Sequence, residues 1–123
     1  ENVALPLLRQ RMSGAERRAK VLAALEQVGI ADLARRKPSQ LSGGQKQRTA
    51  IARAMVCGAD ILLADEPTGA LDSRTGAEIM GVFQELNRMG KTIVIITHDR
   101  QVASCASRLI EMQDRRIIHD EAI

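Results

Sequence analysis

Two adjacent carboxylates, Asp65 and Glu66, close an apolar run, Ile61-Leu62-Leu63-Ala64. An apolar strand in this position delivers both carboxylates to its C-terminal end. A histidine, His98, follows a second apolar run, Ile93-Val94-Ile95-Ile96, within Thr97-His98-Asp99. Upstream lies Leu41-Ser42-Gly43-Gly44-Gln45-Lys46-Gln47-Arg48. Paired glycines let a phosphate approach the backbone closely, and the free N–H groups of a helix start favour an anion. Taken singly, each feature has a plainer explanation: an ordinary helix cap, a solvated acidic turn, a structural histidine. The placement of Asp65, Glu66 and His98, each directly after an apolar run, is what points to a shared site.

These groups need elements to position them. Ser13 with Glu16 forms a capping-box pattern, which predicts a helix to about Val28 with Val21, Leu22, Leu25 and Val28 on one face and Gly29 as its stop. Residues 30–40 read as a short turn or helix and a basic loop ending at Pro38. Ser42 and Gln45 repeat the capping box and open a helix that turns Ile51, Ala54 and Met55 inward and ends near Gly58. The unbroken apolar run at 61–65 predicts a strand buried on both faces. Asp72 or Ser73 caps the next helix, in which Ile79, Val82, Phe83 and Leu86 recur at helical spacing and Gly90 closes. Thr92 to Thr97 is a second buried strand, and Asp99 caps a short helix through Ala106. Leu109–Met112 and Arg116–Ile118 form a terminal hairpin turning at Gln113-Asp114. Alternating strands and helices predict an α/β fold with a parallel sheet. Sites in such sheets lie at the C-terminal strand ends, where Asp65, Glu66 and His98 fall.

Composition narrows the partners. A chain of 123 residues fits one small domain, and 45% apolar residues exclude a disordered charged tail. The net charge of +3 reflects 18 basic against 15 acidic residues, a balance that does not call for nucleic acid. The basic clusters Arg17-Arg18 with Lys20 and Arg35-Arg36-Lys37 read as solvated surfaces, because single-strand binders add stacking aromatics and Phe83 is the lone aromatic. Cys57 and Cys105 form no C-x-x-C pair and are expected to be small buried hydrophobes in a reducing compartment. No apolar run approaches the roughly 20 residues of a membrane-crossing helix, so the chain is expected to be soluble.

The string Leu41–Arg48, continued by Ile51-Ala52-Arg53-Ala54, resembles the signature motif and helix of ABC transporter ATPases. Ile61–Glu66 resembles their Walker B strand, Pro67-Thr68-Gly69-Ala70-Leu71-Asp72 their D-loop, and Ile96-Thr97-His98-Asp99 the segment of their switch histidine. By this resemblance the fold is a partial P-loop NTPase-type sheet with flanking helices, residues 1–40 belonging to the helical subdomain and 41–123 to the C-terminal part of the ATPase core. The resemblance implies that Ser42, Gly43, Gly44 and Gln45 contact the γ-phosphate side of an ATP held by a partner subunit. It further implies that Asp65 holds Mg²⁺ largely through water, that Glu66 is the general base, that His98 contacts the γ-phosphate, and that Asp72 lies across the dimer interface. The implied partners are a second ATP-binding subunit, packed head to tail, and a transmembrane permease that keeps the chain at the cytoplasmic face of the membrane. No nucleic-acid partner is implied. Asp65 through Asp72 with Thr97-His98-Asp99 resembles the macrolide-export and lipoprotein-release group.

The chain also departs from that pattern. Gly90-Lys91-Thr92 imitates the end of a phosphate-binding G-x-x-x-x-G-K-[ST] loop, but Glu85 stands where its first glycine belongs. The segment also follows a helix and opens a strand, the reverse of a P-loop. Nothing here resembles the family's P-loop, adenine-stacking aromatic or glutamine loop, and the chain opens at Glu1. It is therefore expected to be a piece of a longer subunit, inactive alone, with an unpaired strand edge prone to swapping, self-pairing or repacking. Arg115 replaces the glycine of the usual Asp-Gly hairpin turn. Two other readings stay open: a non-catalytic module offering its signature face in trans, and a soluble ABC-type ATPase acting on nucleic acid. The second would carry a long coiled-coil insertion, and none separates the first helix from the signature.

Overall fold

The computed structural model describes residues 1–123. A 3₁₀ turn, Leu5–Arg9, sits ahead of helix α1, Gly14–Gln27, and two short 3₁₀ turns lead to α2, Gly43–Met55. Then come β1, Ile61–Asp65; α3, Ser73–Arg88; β2, Thr92–Ile96; a short α4, Arg100–Ala103; and the strands β3, Arg108–Gln113, and β4, Arg116–Ala122. Both capping boxes form. Ser13 caps α1 and Ser42 caps α2, each accepting from the N–H three residues on while the Glu16 or Gln45 side chain accepts from the cap's own N–H. Asp72, rather than Ser73, caps α3. Gly29 and Gly90 stop α1 and α3 with φ of 75° and 96°, a left-handed conformation that favours glycine.

β1 and β2 pair in parallel, Ile61 opposite Thr92 through Asp65 opposite Ile96, with α3 as the crossover. The hairpin β3–β4 is a separate antiparallel sheet. One core gathers between α1, α2, α3 and the inner face of β1–β2. It contains Leu25, Val28, Ile51, Met55, Leu62, Ile79, Val82, Phe83 and Leu86, joined by Val3 and Leu7 from the N-terminal turn.

Several sequence expectations are corrected. The strands are covered on one face only: Leu62 is 5% exposed and its neighbour Leu63 is 76% exposed. Ala64, Ile93 and Ile95 pack on the core, whereas Ile61, Val94 and Ile96 face outward. An apolar run reads as a strand covered on both sides, but here the core covers the inner side of the sheet and the outer side is open. On α1, Leu22 is exposed and Ala24 is buried; on α2, Ala52 is buried and Ala54 is not. Both cysteines are exposed, Cys57 just past the end of α2 and Cys105 just beyond α4, where neighbouring apolar residues do not mean a neighbouring core. The Asp99-capped helix stops at Ala103. The hairpin turn is Asp114-Arg115, both at positive φ (48° and 63°), the primed geometry that matches strand twist. β4 runs on to Ala122, held by Arg108 forking onto Asp120 with two 2.8 Å bonds.

Candidate functional site

Register builds the first half of the site. Because Asp65 lies opposite Ile96, the next residues outward, Glu66 and Thr97, emerge side by side from the C-terminal ends of β1 and β2. The Glu66 N–H still donates to the Ile96 carbonyl at 2.8 Å. Its φ of 46° then turns the chain out of the strand, a conformation that costs a non-glycine residue on the order of 1 kcal/mol. That turn leaves the carboxylate among three donors. Thr97 Oγ1 donates to Oε2 at 3.1 Å, the His98 N–H donates to Oε1 at 3.0 Å, and His98 Nδ1 lies 2.6 Å from the same oxygen.

The electrostatics follow from these contacts. The His98 ring, then its N–H and the Thr97 hydroxyl, hold the Glu66 carboxyl below its ordinary value, against a partial opposing effect of burial. The hydrogen bond to Glu66, aided by its charge, raises His98. Thr97 is itself oriented, since its hydroxyl oxygen accepts from the Asp99 N–H at 3.0 Å and its single proton is then free for Glu66. The sequence singled out Glu66 and His98 but gave Thr97 no role; its position directly after the strand was the available signal.

Asp65 is exposed at the same strand end, next to Glu66. No group of three or more His, Cys, Asp or Glu side chains gathers anywhere in the chain. A divalent ion at Asp65 would thus draw most of its oxygen ligands from water and phosphate, which suits Mg²⁺. The exposed, strand-end carboxylate fits that use.

The second half is built by helix starts. The Ser42 N–H donates to Gln45 Oε1 at 2.9 Å, and the Gln45 N–H donates to Ser42 Oγ at 3.2 Å. Ser42 and Gly43 are exposed at this tip, and Gly44 is buried. Asp72 sits close by in sequence to the residues packed behind them. A Cβ on Gly43 would lie 3.1 Å from Leu71 Cδ2, and one on Gly44 only 2.5 Å from Thr75 Cγ2. Two hydrogen bonds from Thr75, hydroxyl first, hold Asp72 below its ordinary carboxyl value. A cleft of about 350 Å³ opens beside Ser42, Gln45 and Thr75; Glu66 and His98 lie outside it. The structure thus brings Glu66 to His98 and the signature turn to the Asp72 turn, and the two pairs share no hydrogen bond.

A model of the ABC transporter family matches residues 1–69, which include Ser42–Gln45, Asp65 and Glu66. The chain belongs to the ABC transporter family. It is 51% identical over 120 residues to the macrolide export ATP-binding/permease protein of Burkholderia pseudomallei, covering 98% of this chain and 18% of that protein. It is 50% identical over 122 residues to the pyoverdine export ATP-binding/permease protein of Pseudomonas entomophila, covering 99% of this chain and 19% of that one. The chain thus spans about a fifth of the curated relatives it matches. Among solved structures it is similar to a dimeric bacterial ABC transporter cassette, with TM-score 0.78 and 48% identity, covering 99% of this chain and 55% of that one. A cassette from Clostridium perfringens, part of an ABC transporter complex, gives TM-score 0.89 at 32% identity, covering 98% of this chain and 49% of that one. The α/β fold is therefore that of ABC ATPase cassettes, matched over part of their length.

Proposed function

We propose that these residues serve an ATP-hydrolysing subunit of an ABC exporter, and that the ATP they act on lies between two such subunits. The observation that carries this reading is the Glu66–Thr97–His98 contact at the C-terminal ends of two parallel strands. In this reading Glu66 orients and deprotonates the attacking water, His98 faces the γ-phosphate, and Asp65 helps hold Mg²⁺, whose charge would offset that of the phosphates. The Ser42–Gln45 turn caps the γ-phosphate of the nucleotide carried by the partner, and Asp72 lies at the junction. A solved dimeric ATP-binding cassette bound to ADP and Pi, 46% identical to this chain, supports the nucleotide assignment, and relatives named as ATP-binding/permease proteins support a permease partner and a place at the cytoplasmic face of a membrane. No helix of this chain is long and apolar enough to cross a membrane. Nucleic acid is disfavoured as partner because the lone aromatic, Phe83, is buried.

These 123 residues contain no G-x-x-x-x-G-K-[ST] loop, so in this reading they contact a nucleotide that a partner holds and do not turn ATP over by themselves. The test grafts residues 1–123 onto the matching stretch of the dimeric cassette relative and follows Mg²⁺-dependent ATP hydrolysis. Glu66→Gln is expected to lower kcat about 10²–10⁴-fold. Full turnover in that variant would overturn the role of Glu66, and Glu66-dependent turnover by the 123-residue chain alone would overturn its inactivity in isolation.

A further inference from the structure

We infer that Thr75 is a positioning residue that fastens the Asp72 turn to the Gly43-Gly44 turn, so that the two nucleotide-facing segments move as one piece. The inference rests on the site reading above for its function but on independent geometry for the contact. The Thr75 hydroxyl donates to Asp72 Oδ2 at 2.6 Å and its N–H donates to Oδ1 at 3.0 Å. These two bonds fix the side chain. Its methyl group is then held against Gly44, so close that any Cβ there would stand 2.5 Å from it.

Two glycines in a phosphate-binding turn are ordinarily explained by the ligand. Here they face different neighbours. Gly43 is exposed, and behind it lies Leu71; Gly44 is buried, and behind it lies Thr75. Leu71 and Thr75 flank Asp72 on either side. The turn of α2 therefore rests on the two shoulders of the Asp72 turn, and glycine at 44 is demanded from behind by Thr75. One turn further along α2, Arg48 Nη1 donates to the Val28 carbonyl at 2.7 Å and Nη2 stands 4.0 Å from Glu78 Oε2. That contact joins α2 to the end of α1 and to α3 in the same sense. A displacement of Asp72 is thus transmitted to Ser42 and Gly43 through a contact with no slack, because packed side chains have few alternative arrangements.

The claim makes a compensation test possible, using Gly44→Ala, Thr75→Ser, the two together, and Gly44→Ala with Thr75→Val. Serine keeps the hydroxyl and removes the methyl that a new Cβ would strike; valine keeps a methyl and removes the hydroxyl. In the 123-residue chain, Gly44→Ala is expected to lower the thermal midpoint by roughly 5 °C, the serine double variant to recover most of that, and the valine double variant none. A Gly44→Ala chain that fails to fold beside a serine double variant that folds is the same rescue. In the grafted cassette, Gly44→Ala is expected to lower kcat at least tenfold with little change in KM, and the serine double variant to regain most of the loss. A serine double variant no better than Gly44→Ala in either assay overturns the inference. Recovery of the midpoint in a cassette in which even the parent sequence hydrolyses no ATP would instead overturn the site reading, with the Gly44–Thr75 contact upheld.

Discussion

His98 Nδ1 stands 2.6 Å from Glu66 Oε1, although 32 residues separate the two in sequence. The parallel register of β1 and β2 makes that contact, and the left-handed backbone at Glu66 aims the carboxylate across to it. As it stands, the proposed base is held by three donors, each of which favours its ionised form while lowering its basicity. A water arriving at this site must compete with His98 for the Glu66 oxygen, and a phosphate must compete with Glu66 for the His98 donors.

The first prediction concerns the charge of the pair. His98 is raised above its ordinary 6.5 and Glu66 lowered below its ordinary 4.5. Stability drawn from His98 is complete below 6.5 and fades as pH climbs through its raised folded value. That drawn from Glu66 is complete above 4.5 and fades as pH falls through its lowered folded value. The ion pair is thus intact in the window between. Following the His98 ring resonances by NMR, Glu66→Gln is expected to bring its titration down toward 6.5. An unmoved titration curve would mean the pair does not exist in solution.

A second prediction separates Thr97 from His98. Thr97→Val removes one donor from Glu66 Oε2 and an acceptor from the Asp99 N–H. The Glu66 carboxyl is expected to titrate at a higher pH in this variant and near its parent value in Thr97→Ser, as read from its ¹³C shift. Equal behaviour of the two variants would remove the hydroxyl from the account.

A third concerns the two capping serines. Ser13→Ala and Ser42→Ala each remove an equivalent bond at a helix start and are expected to cost about 1 kcal/mol in denaturant unfolding. In the grafted cassette Ser42→Ala alone is expected to weaken ATP-dependent dimerisation. Equal effects of both variants on dimerisation would reduce Ser42 to a plain cap.

The fourth compares two neighbours on β1. Leu62→Ala empties a core position and is expected to cost about 2–5 kcal/mol. Leu63→Ala, on the open face, is expected to stay within about 0.5 kcal/mol. Comparable losses would show that the outer face of the sheet is covered in solution.

How much of this was legible follows from the range of each interaction. Caps are local, so Ser13 with Glu16, Ser42 with Gln45, and Asp72 could be read from neighbours three residues apart. The Glu66–His98 approach could be read because each follows a strand in a parallel sheet. Which face of a strand is covered depends on what packs there, so Leu63, Val94 and Ile96 read as core and are not. Leu22 stands one residue from the core-packed Val21 and Ala54 one residue from the buried Met55, and clustered or small apolar residues do not mark where an inward stripe ends. The role of Thr75 was hidden because its partner, Gly44, has no side chain to announce a contact.

The bare outer side of β1–β2 has a practical corollary for anyone handling this polypeptide. Leucine, isoleucine and valine lie there on a twisted ribbon with free amide rims, so water must wet a surface it disfavours. Concentration, warming and sulfate-type salts, which all strengthen apolar attraction, will drive copies to stack on one another. The tips that carry Asp65 and His98 are hydrophilic, and the floor beneath them is what will decide how long the material stays in solution.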